Sequence, residues 1–463
     1  MRERNLENTV LVIDGGGRGA ALVDKYAQSE HVGRVIAIPG NDSMKINDLK
    51  DIQVYPRLKT TDIAEILQIC REEKVALVDV AQDNAIRAGL VNLLTENGIH
   101  TIGPTKEAGQ IEWDKGWART FGRQYRLPQP DYYIYSAEQA SVEGAMIVLD
   151  RLQNRPWFIK AAYLAGGKGA LPARNNEEAK GKILEISQTE PGKVFLVEEW
   201  LKGEDGTAGE EFSLFIACDG EHYRVLGSAQ DHKRVNDSDQ GENTGGMGCS
   251  SPPLVLTPEI LREVKQNIIE KTIHGLRELG RHYKGILYLG GILVNKGVVP
   301  YPSFSRDYAL KAFVVEFNAR WGDPEAQVIL PGLKTDLFEL GMTVVEGNIG
   351  KVKIRHDGKS RVVVAGTSKD YPGDSSWHTG QRIFGIDEAR EIDGVQIYGA
   401  GMKIIEDKYY SLGGRLFYIV GEGNNVVEAR QKAYEAMSLV NVEGNYLHYR
   451  TDIGWRDVER LRK

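Results

Sequence analysis

Three cysteines in 463 residues, Cys70, Cys218 and Cys249, are too few and too far apart for a disulfide framework or a cysteine-based zinc cluster. No apolar run reaches membrane-span length. The charged stretch Met1–Asn8 runs straight into an apolar strand, without the apolar region of a secretory leader. Basic charge is short as well: 58 Lys and Arg against 65 Asp and Glu leave a formal net charge of -7, the wrong sign for a general polyanion binder. These absences predict a cytoplasmic chain with no nucleic-acid and no membrane partner. They leave room for phosphate-bearing small molecules, because local lysines and glycine amides hold those whatever the total charge. Internal repeats, low-complexity tracts and the P-loop pattern are also missing.

Glycine, by contrast, is over-used, at 52 residues against a usual share of roughly 7%. Without a collagen-like period, the excess must sit in turns and backbone-exposing loops. The hydrophobic share of 41% and charged share of 27% fit a globular chain, and the length suits about three domains.

The first domain is expected over 9–108. Thr9–Ile13 is an apolar run that ends in Asp14-Gly15-Gly16-Gly17-Arg18-Gly19 and leads into a helix, the opening of a parallel α/β unit. Apolar runs at 35–38, 76–80 and 100–102 alternate with helical stretches near 61–73 and 84–97, which predicts a parallel sheet covered on both faces. A second domain over 109–352 begins with a helix around 110–125 that carries Lys115. Within it, a strand at 157–161, the loop 165–169, a helix near 176–188 and a strand at 194–199 form a piece able to move as a lid, about 130–198. Strands at 360–365, 396–399 and 416–420 and a helix at 426–439 predict a small α+β domain over 353–463.

Three segments carry chemistry. The loop Ala165-Gly166-Gly167-Lys168-Gly169 lets backbone N–H groups approach an anion, with a lysine inside it. Lys160 ends the strand before it, and Glu198-Glu199 end the strand after it, an order that suits a nucleotide with phosphates at one end and a ribose-holding hinge at the other. Next come Gln230-Asp231-His232-Lys233-Arg234 and the glycine cluster Asn243-Thr244-Gly245-Gly246-Met247-Gly248, whose backbone costs entropy unless a bend or a close ligand needs it. In Val314–Glu325, strand alternation sets Glu316, Asn318 and Arg320 on one face. A carboxylate and an amide oxygen two residues apart make a hard-oxygen site for magnesium or manganese, and Arg320 beside them suits a transferring phosphate.

These blocks, in this order, resemble the phosphoribosylamine–glycine ligase (glycinamide ribonucleotide synthetase) family of the ATP-grasp superfamily. The likeness extends to Gly103-Pro104-Thr105-Lys106, Tyr283–Tyr288, EFNARWGDPE at 316–325, Tyr371-Pro372-Gly373, Gly413-Gly414-Arg415 and Asp452–Arg456. The resemblance implies a Rossmann-like pre-ATP-grasp domain, an ATP-grasp fold with a mobile lid, and a small C-terminal α+β domain. It further implies ATP with Mg2+ or Mn2+, a place in purine synthesis, small-molecule partners, and a monomer or small homo-oligomer. Glycine's carboxylate would take the γ-phosphate of ATP, and the amine of phosphoribosylamine would displace that phosphate. Carried over by residue, Lys115, Lys160, Gly166, Gly167, Lys168 and Gly169 would hold ATP, with Glu198 and Glu199 at the adenosine end. Glu316 and Asn318 would hold the metal, and Asp231, Arg320 and Asp323 would line the reacting side. Gly15, Gly16, Gly17, Arg18 and Lys233 would bind substrate.

The chain departs from the family on the acceptor side. The usual Gly-Gly-Arg-Glu-His turn reads Gly16-Gly17-Arg18-Gly19-Ala20, and Ala81-Gln82-Asp83 stands where a Gly-Pro-Glu turn is usual. Residues near 204–209 and 298–312 lengthen two loops. Three readings stay open on these residues: the family's own reaction, a sister ligase with a different amine or carboxylate, and a nucleotide-binding protein without turnover.

Overall fold

Val10–Ile13 are apolar on both faces and fully buried, and β1 (Asn8–Asp14) is accordingly an inner strand of a parallel sheet. It pairs with β2 (Val32–Pro39) and β4 (Val75–Val80). Adding β3 (Asp51–Val54) and β5 (Thr101–Ile102) gives the order β3-β2-β1-β4-β5, parallel throughout. The order reverses between β1 and β4, and an open parallel sheet takes ligands outside the carboxyl ends of its strands at that switch point. The turn after β1 and the loop Ala81–Asp83 after β4 both open there, so the two departures from the family share one crevice. The computed structural model describes residues 8–46, 49–203, 206–295, 310–374 and 379–462. The lengthened loop at 298–312 therefore lies almost wholly outside the described residues, and Glu204 and Asp205 of the other do too.

Two helices expected as single pieces are broken. Gly89, at φ 86°, separates Asp83–Ala88 from Leu90–Glu96. Asp114, in extended conformation, separates Gln110–Trp113 from Lys115–Gln124 and caps the second helix by accepting from the Trp117 N–H at 3.0 Å. Lys115 thus opens a helix, and its N–H donates to the Ala162 carbonyl at 2.8 Å, beside the strand that carries Lys160.

Tyr132–Ser136, Val194–Glu199, Trp157–Ala161 and Ala170–Ala173 form a four-stranded sheet in that spatial order. Helices Gln139–Arg151 and Asn176–Ser187 cover it, with a separate core around Trp157, Ile183 and Phe195. The largest sheet is antiparallel and runs from Leu310–Asn318 through Lys284–Asn295, Glu210–Asp219, Tyr223–Asp231 and Gly248–Ser251 to Ser360–Ser368, Arg415–Gly423 and Val395–Gly399. It crosses the boundary expected near 353, because Ser360–Ser368 pairs directly with Gly248–Ser251. The C-terminal segment extends the central sheet, and a second small sheet at 382–442 lies beyond it. One core joins Val10 and Tyr26 to Phe215, Trp321, Val363 and Tyr418, so these parts pack on one another. No helix among the described residues is long and apolar enough to cross a membrane.

Candidate active site

Four cations converge on Glu316. The residue lies near the end of Leu310–Asn318, paired with Gly290 of the neighbouring strand, where a Cβ would sit 3.1 Å from the Glu316 Cγ. Burial pushes the Glu316 carboxyl up, but the charges of Lys233, Lys115, Lys160 and Arg320 outweigh it and hold the group at about 2. The Lys233 Nζ is 3.5 Å from Glu316 and 3.4 Å from Glu211 of Glu210–Asp219, an acid the motif reading passed over.

Arg320 does not extend the face of that strand. The pairing with Lys284–Asn295 slips at Val315, and the strand stops at Asn318. Arg320 folds back instead: its Nη2 donates to the Asn318 Oδ1 at 3.1 Å and meets Glu112 at 2.8 Å. Glu112 in turn accepts from the Ala319 N–H at 2.7 Å. The guanidinium is therefore held by protein groups and fixes the amide of Asn318.

Glu198 is not the open carboxylate expected at the hinge. It is buried, takes both Nε and Nη2 of Arg119 at 2.7 and 3.2 Å, and meets Lys160 at 2.6 Å. Burial pushes its carboxyl up, and Arg119 and Lys160 overcome this and hold it at about 2. Glu198 orders Lys160, whose own pKa burial lowers despite that partner. Glu199, part exposed, pairs with Arg155 at 3.2 Å. Its backbone N–H donates to the Asp131 carbonyl.

Gly166 and Gly167 adopt φ of 57° and 81°, which only glycine takes without strain. Lys168 and both glycines are exposed, and a Cβ on Gly167 would lie 3.9 Å from the Gly245 Cα. The two glycine loops thus face each other across the rim of the site. The second loop's own amides are occupied: the N–H groups of Thr244, Gly245, Gly246 and Met247 donate to Lys233, Tyr371, Thr244 and His232. Its glycines serve close packing. A Cβ on Gly246, at φ 113°, would meet the Pro324 Cδ at 2.5 Å and the Asp231 Oδ1 at 2.8 Å.

The C-terminal segment holds this loop through Arg415, seen in the sequence but given no role there. Its Nη1 donates to the carbonyls of Gly245 at 2.7 Å and Asp323 at 3.0 Å, and its Nη2 meets the Asp323 carboxylate at 3.0 Å. Asp323 also accepts from Gln327 at 2.7 Å. Its Oδ2 is 3.7 Å from where a Cβ on Gly16 would be, so it faces the turn after β1.

That turn is closed by protein. The Gly16 N–H donates to the Asp14 Oδ1 at 2.5 Å, while Arg18 and Gln82 donate to the Asp14 Oδ2 at 2.6 and 3.2 Å. The Arg18 Nη1 reaches the Trp321 carbonyl at 2.9 Å. A Cβ on Gly17 would strike the Tyr418 ring at 2.1 Å, and one on Gly19 would meet the Asp14 carboxylate at 2.9 Å. A glutamate at position 19 is therefore incompatible with Asp14 as placed. The Gly15 carbonyl accepts from Asn41 at 2.9 Å. Asp83 lies near enough to Glu112 and Arg320 to perturb both.

Glu316 and Asn318 offer adjacent hard oxygens, with Glu316 kept ionised, which suits a magnesium- or manganese-sized ion. No group of three or more His, Cys, Asp or Glu able to hold a metal occurs among the described residues. An ion here would complete its shell with phosphate oxygens and water.

Comparison with known proteins agrees along the whole chain. Residues 8–112, 113–326 and 361–456 match the phosphoribosylglycinamide synthetase N domain, ATP-grasp (A) domain and C domain. The Chlorobaculum tepidum phosphoribosylamine–glycine ligase is 34% identical over 449 residues, 96% of this chain and 99% of that protein. The trifunctional purine biosynthetic protein adenosine-3 of Gallus gallus is 33% identical over 465 residues, 98% of this chain and 43% of that protein. Among solved structures, the Thermotoga maritima phosphoribosylamine–glycine ligase superposes with a TM-score of 0.77 at 25% identity, covering 96% of this chain and 100% of that one. The biotin carboxylase domain of Hydrogenobacter thermophilus 2-oxoglutarate carboxylase reaches 0.67 at 16% identity, covering 95% and 91%, a likeness of fold. The chain belongs to the phosphoribosylglycinamide synthetase family of ATP-grasp ligases.

Proposed function

We propose that this chain uses ATP to join glycine to phosphoribosylamine. The observation that carries the reading is the convergence of Lys115, Lys160, Lys233 and Arg320 on Glu316, with Asn318 beside it. A carboxylate has no good leaving group, and phosphorylation supplies one. A glycine carboxylate oxygen attacks the γ-phosphorus, the bond to the β-bridging oxygen breaks, and ADP leaves. The amine nitrogen then attacks the acyl carbon, phosphate departs, and one proton passes to solvent as the amide forms.

Phosphoryl transfer is catalysed mainly by positioning and neutralisation of charge. Lys160, aimed by Glu198, and Lys115, whose backbone N–H is anchored on the Ala162 carbonyl, supply positive charge to the triphosphate. A divalent ion held by Glu316 and Asn318 would neutralise phosphate oxygens there. The four-stranded unit around Trp157 serves as the lid, and its Gly166–Gly169 loop over Gly245 keeps water from the acyl phosphate. The crevice between β1 and β4 takes the acceptor amine. Purified protein given glycine, fresh phosphoribosylamine and Mg-ATP should release ADP only when all three are present. Release that ignores either glycine or the amine would contradict the reading.

A further inference from the structure

Where the C-terminal helix meets the central sheet, three buried oxygens lack a protein partner. Gln230 pairs with Ser250, and Ser250 with Val362, across neighbouring strands, so their side chains share one face of the sheet. Alternation turns Asp231 to the other face. Gly454 covers the shared face: a Cβ there would lie 3.6 Å from the Val362 Cγ2 and 3.8 Å from the Ser250 Cβ. Just past the strand end, the His232 Nε2 accepts from the Gly454 N–H at 3.0 Å. The helix Trp455–Arg462 follows, and a chain of bonds ties its Asp457 to the same place. Arg460 donates to the Asp457 Oδ1 at 2.9 Å and to Glu210, and Glu210 accepts from the Gln230 Nε2 at 2.8 Å. The Asp457 Oδ1 also accepts from the Leu254 N–H at 3.1 Å. Gln230, Ser250 and Asp457 are at most 1% exposed. Yet the Gln230 Oε1, the Ser250 Oγ and the Asp457 Oδ2 have no hydrogen-bond partner among the described residues. Leaving one such atom unpaired is costly, and three on one covered face call for a shared guest.

We propose that the oxygens of Gln230, Ser250 and Asp457 bind a monovalent alkali cation, K+ or Na+, that fastens the C-terminal helix to the central sheet. An amide, a hydroxyl and a carboxylate offer hard oxygens that replace part of such an ion's hydration shell. The charge count sets the valence. Glu210 and Asp457 share the single guanidinium of Arg460, which leaves one negative charge in excess beside a fully buried carboxylate oxygen. A water would leave that charge unmatched, and a divalent ion would exchange it for a buried positive one. Burial pushes the Asp457 carboxyl up against its bonds from Leu254 and Arg460, a penalty that a cation relieves. The site is separate from the nucleotide and its metal ligands, since Glu316 and Asn318 lie on the end strand Leu310–Asn318 of the same sheet.

The probe is thallium(I), a K+ surrogate read directly by thallium NMR. With no nucleotide present, the full chain should bind Tl+ in competition with K+ and not with tetramethylammonium. Its thermal midpoint should stand about 2 °C or more higher in potassium than in tetramethylammonium salt of equal concentration. Asp457→Asn keeps the shape and removes the charge. It should weaken Tl+ binding at least about tenfold and erase the difference in midpoint. Ser250→Ala keeps the charge and should weaken binding by a smaller factor, with the circular dichroism spectrum unchanged. Should Asp457→Asn fail to fold, Ser250→Ala alone decides. Wild-type protein that binds no Tl+, or whose midpoint ignores the cation, overturns the proposal. So does Tl+ binding that survives undiminished in every folded variant, because the ion then sits elsewhere.

Discussion

The nucleotide end and the acceptor end of the site are built on opposite electrostatic plans. Around Glu316, three lysines and one arginine gather from four separate segments and hold one carboxylate at about 2. Around the turn after β1, each charge is already matched. Asp14 takes Gly16, Arg18 and Gln82, and Asp323 takes Arg415 and Gln327. Lys160, Lys233 and Arg320 each meet an acid there, so the first arrangement is a network of fixed cations that an anionic ligand can share. The second is self-sufficient, and it is where the chain departs from its family. Asp14 supplies from the end of β1 a carboxylate that Gly19 lacks, and the two positions exclude each other sterically.

The contrast can be broken by substitution. The largest effect is expected at the nucleotide end: Glu316→Ala should reduce turnover on the order of 10³-fold without altering the circular dichroism spectrum. Retention of even a tenth of the activity would move the metal elsewhere. Next is Arg415→Ala, which leaves the carbonyls of Gly245 and Asp323 without their donor. Urea unfolding should show a loss of about 2 kcal/mol, while nucleotide affinity holds. A smaller effect is predicted for Asp14→Asn, which loosens Arg18. The KM for the acceptor should rise roughly tenfold, equivalent to about 1.4 kcal/mol, with the KM for ATP unmoved. A matching change in both would mean the two ends are not separate.

The smallest effect is on stability against pH. Asp79 of β4 is fully buried and accepts from the Tyr26 hydroxyl at 2.9 Å, and burial raises it to about 7. Its unfolded value is roughly 3.9, so its contribution to stability is complete below that and is lost as pH rises through 7. Urea midpoints should therefore fall between pH 5 and pH 8 more steeply in the wild-type protein than in Asp79→Asn. Parallel slopes would show that Asp79 does not titrate with folding.

Much of this plan was legible in residue order. Apolar runs ending in glycine turns foretold the parallel sheet, because a strand buried on both faces must be apolar throughout. The order of loops and acids identified the segments that meet at Glu316. What stayed hidden depends on partners distant in sequence. Glu198 reads as an exposed acid until Arg119 and Lys160 are seen around it. Arg320 leaves the expected face because the strand ends at Asn318, and alternation cannot foresee where a strand stops. The pairing of the C-terminal strands with the central sheet stays hidden too, since pattern reveals a strand but not the neighbour it pairs with. Asp14 reads only as the end of a strand for a related reason: its consequence lies in the turn it closes.

The claim that Lys115, Lys160 and a hard-oxygen pair share one triphosphate meets its most direct test in calorimetry. Mg2+ and a non-hydrolysable ATP analogue would be titrated into the wild-type protein, Lys115→Met, Lys160→Met and Glu316→Ala. One site per chain is predicted, with each variant binding at least about tenfold more weakly. A variant that binds like the wild-type protein would place its side chain outside the nucleotide site and contradict the account.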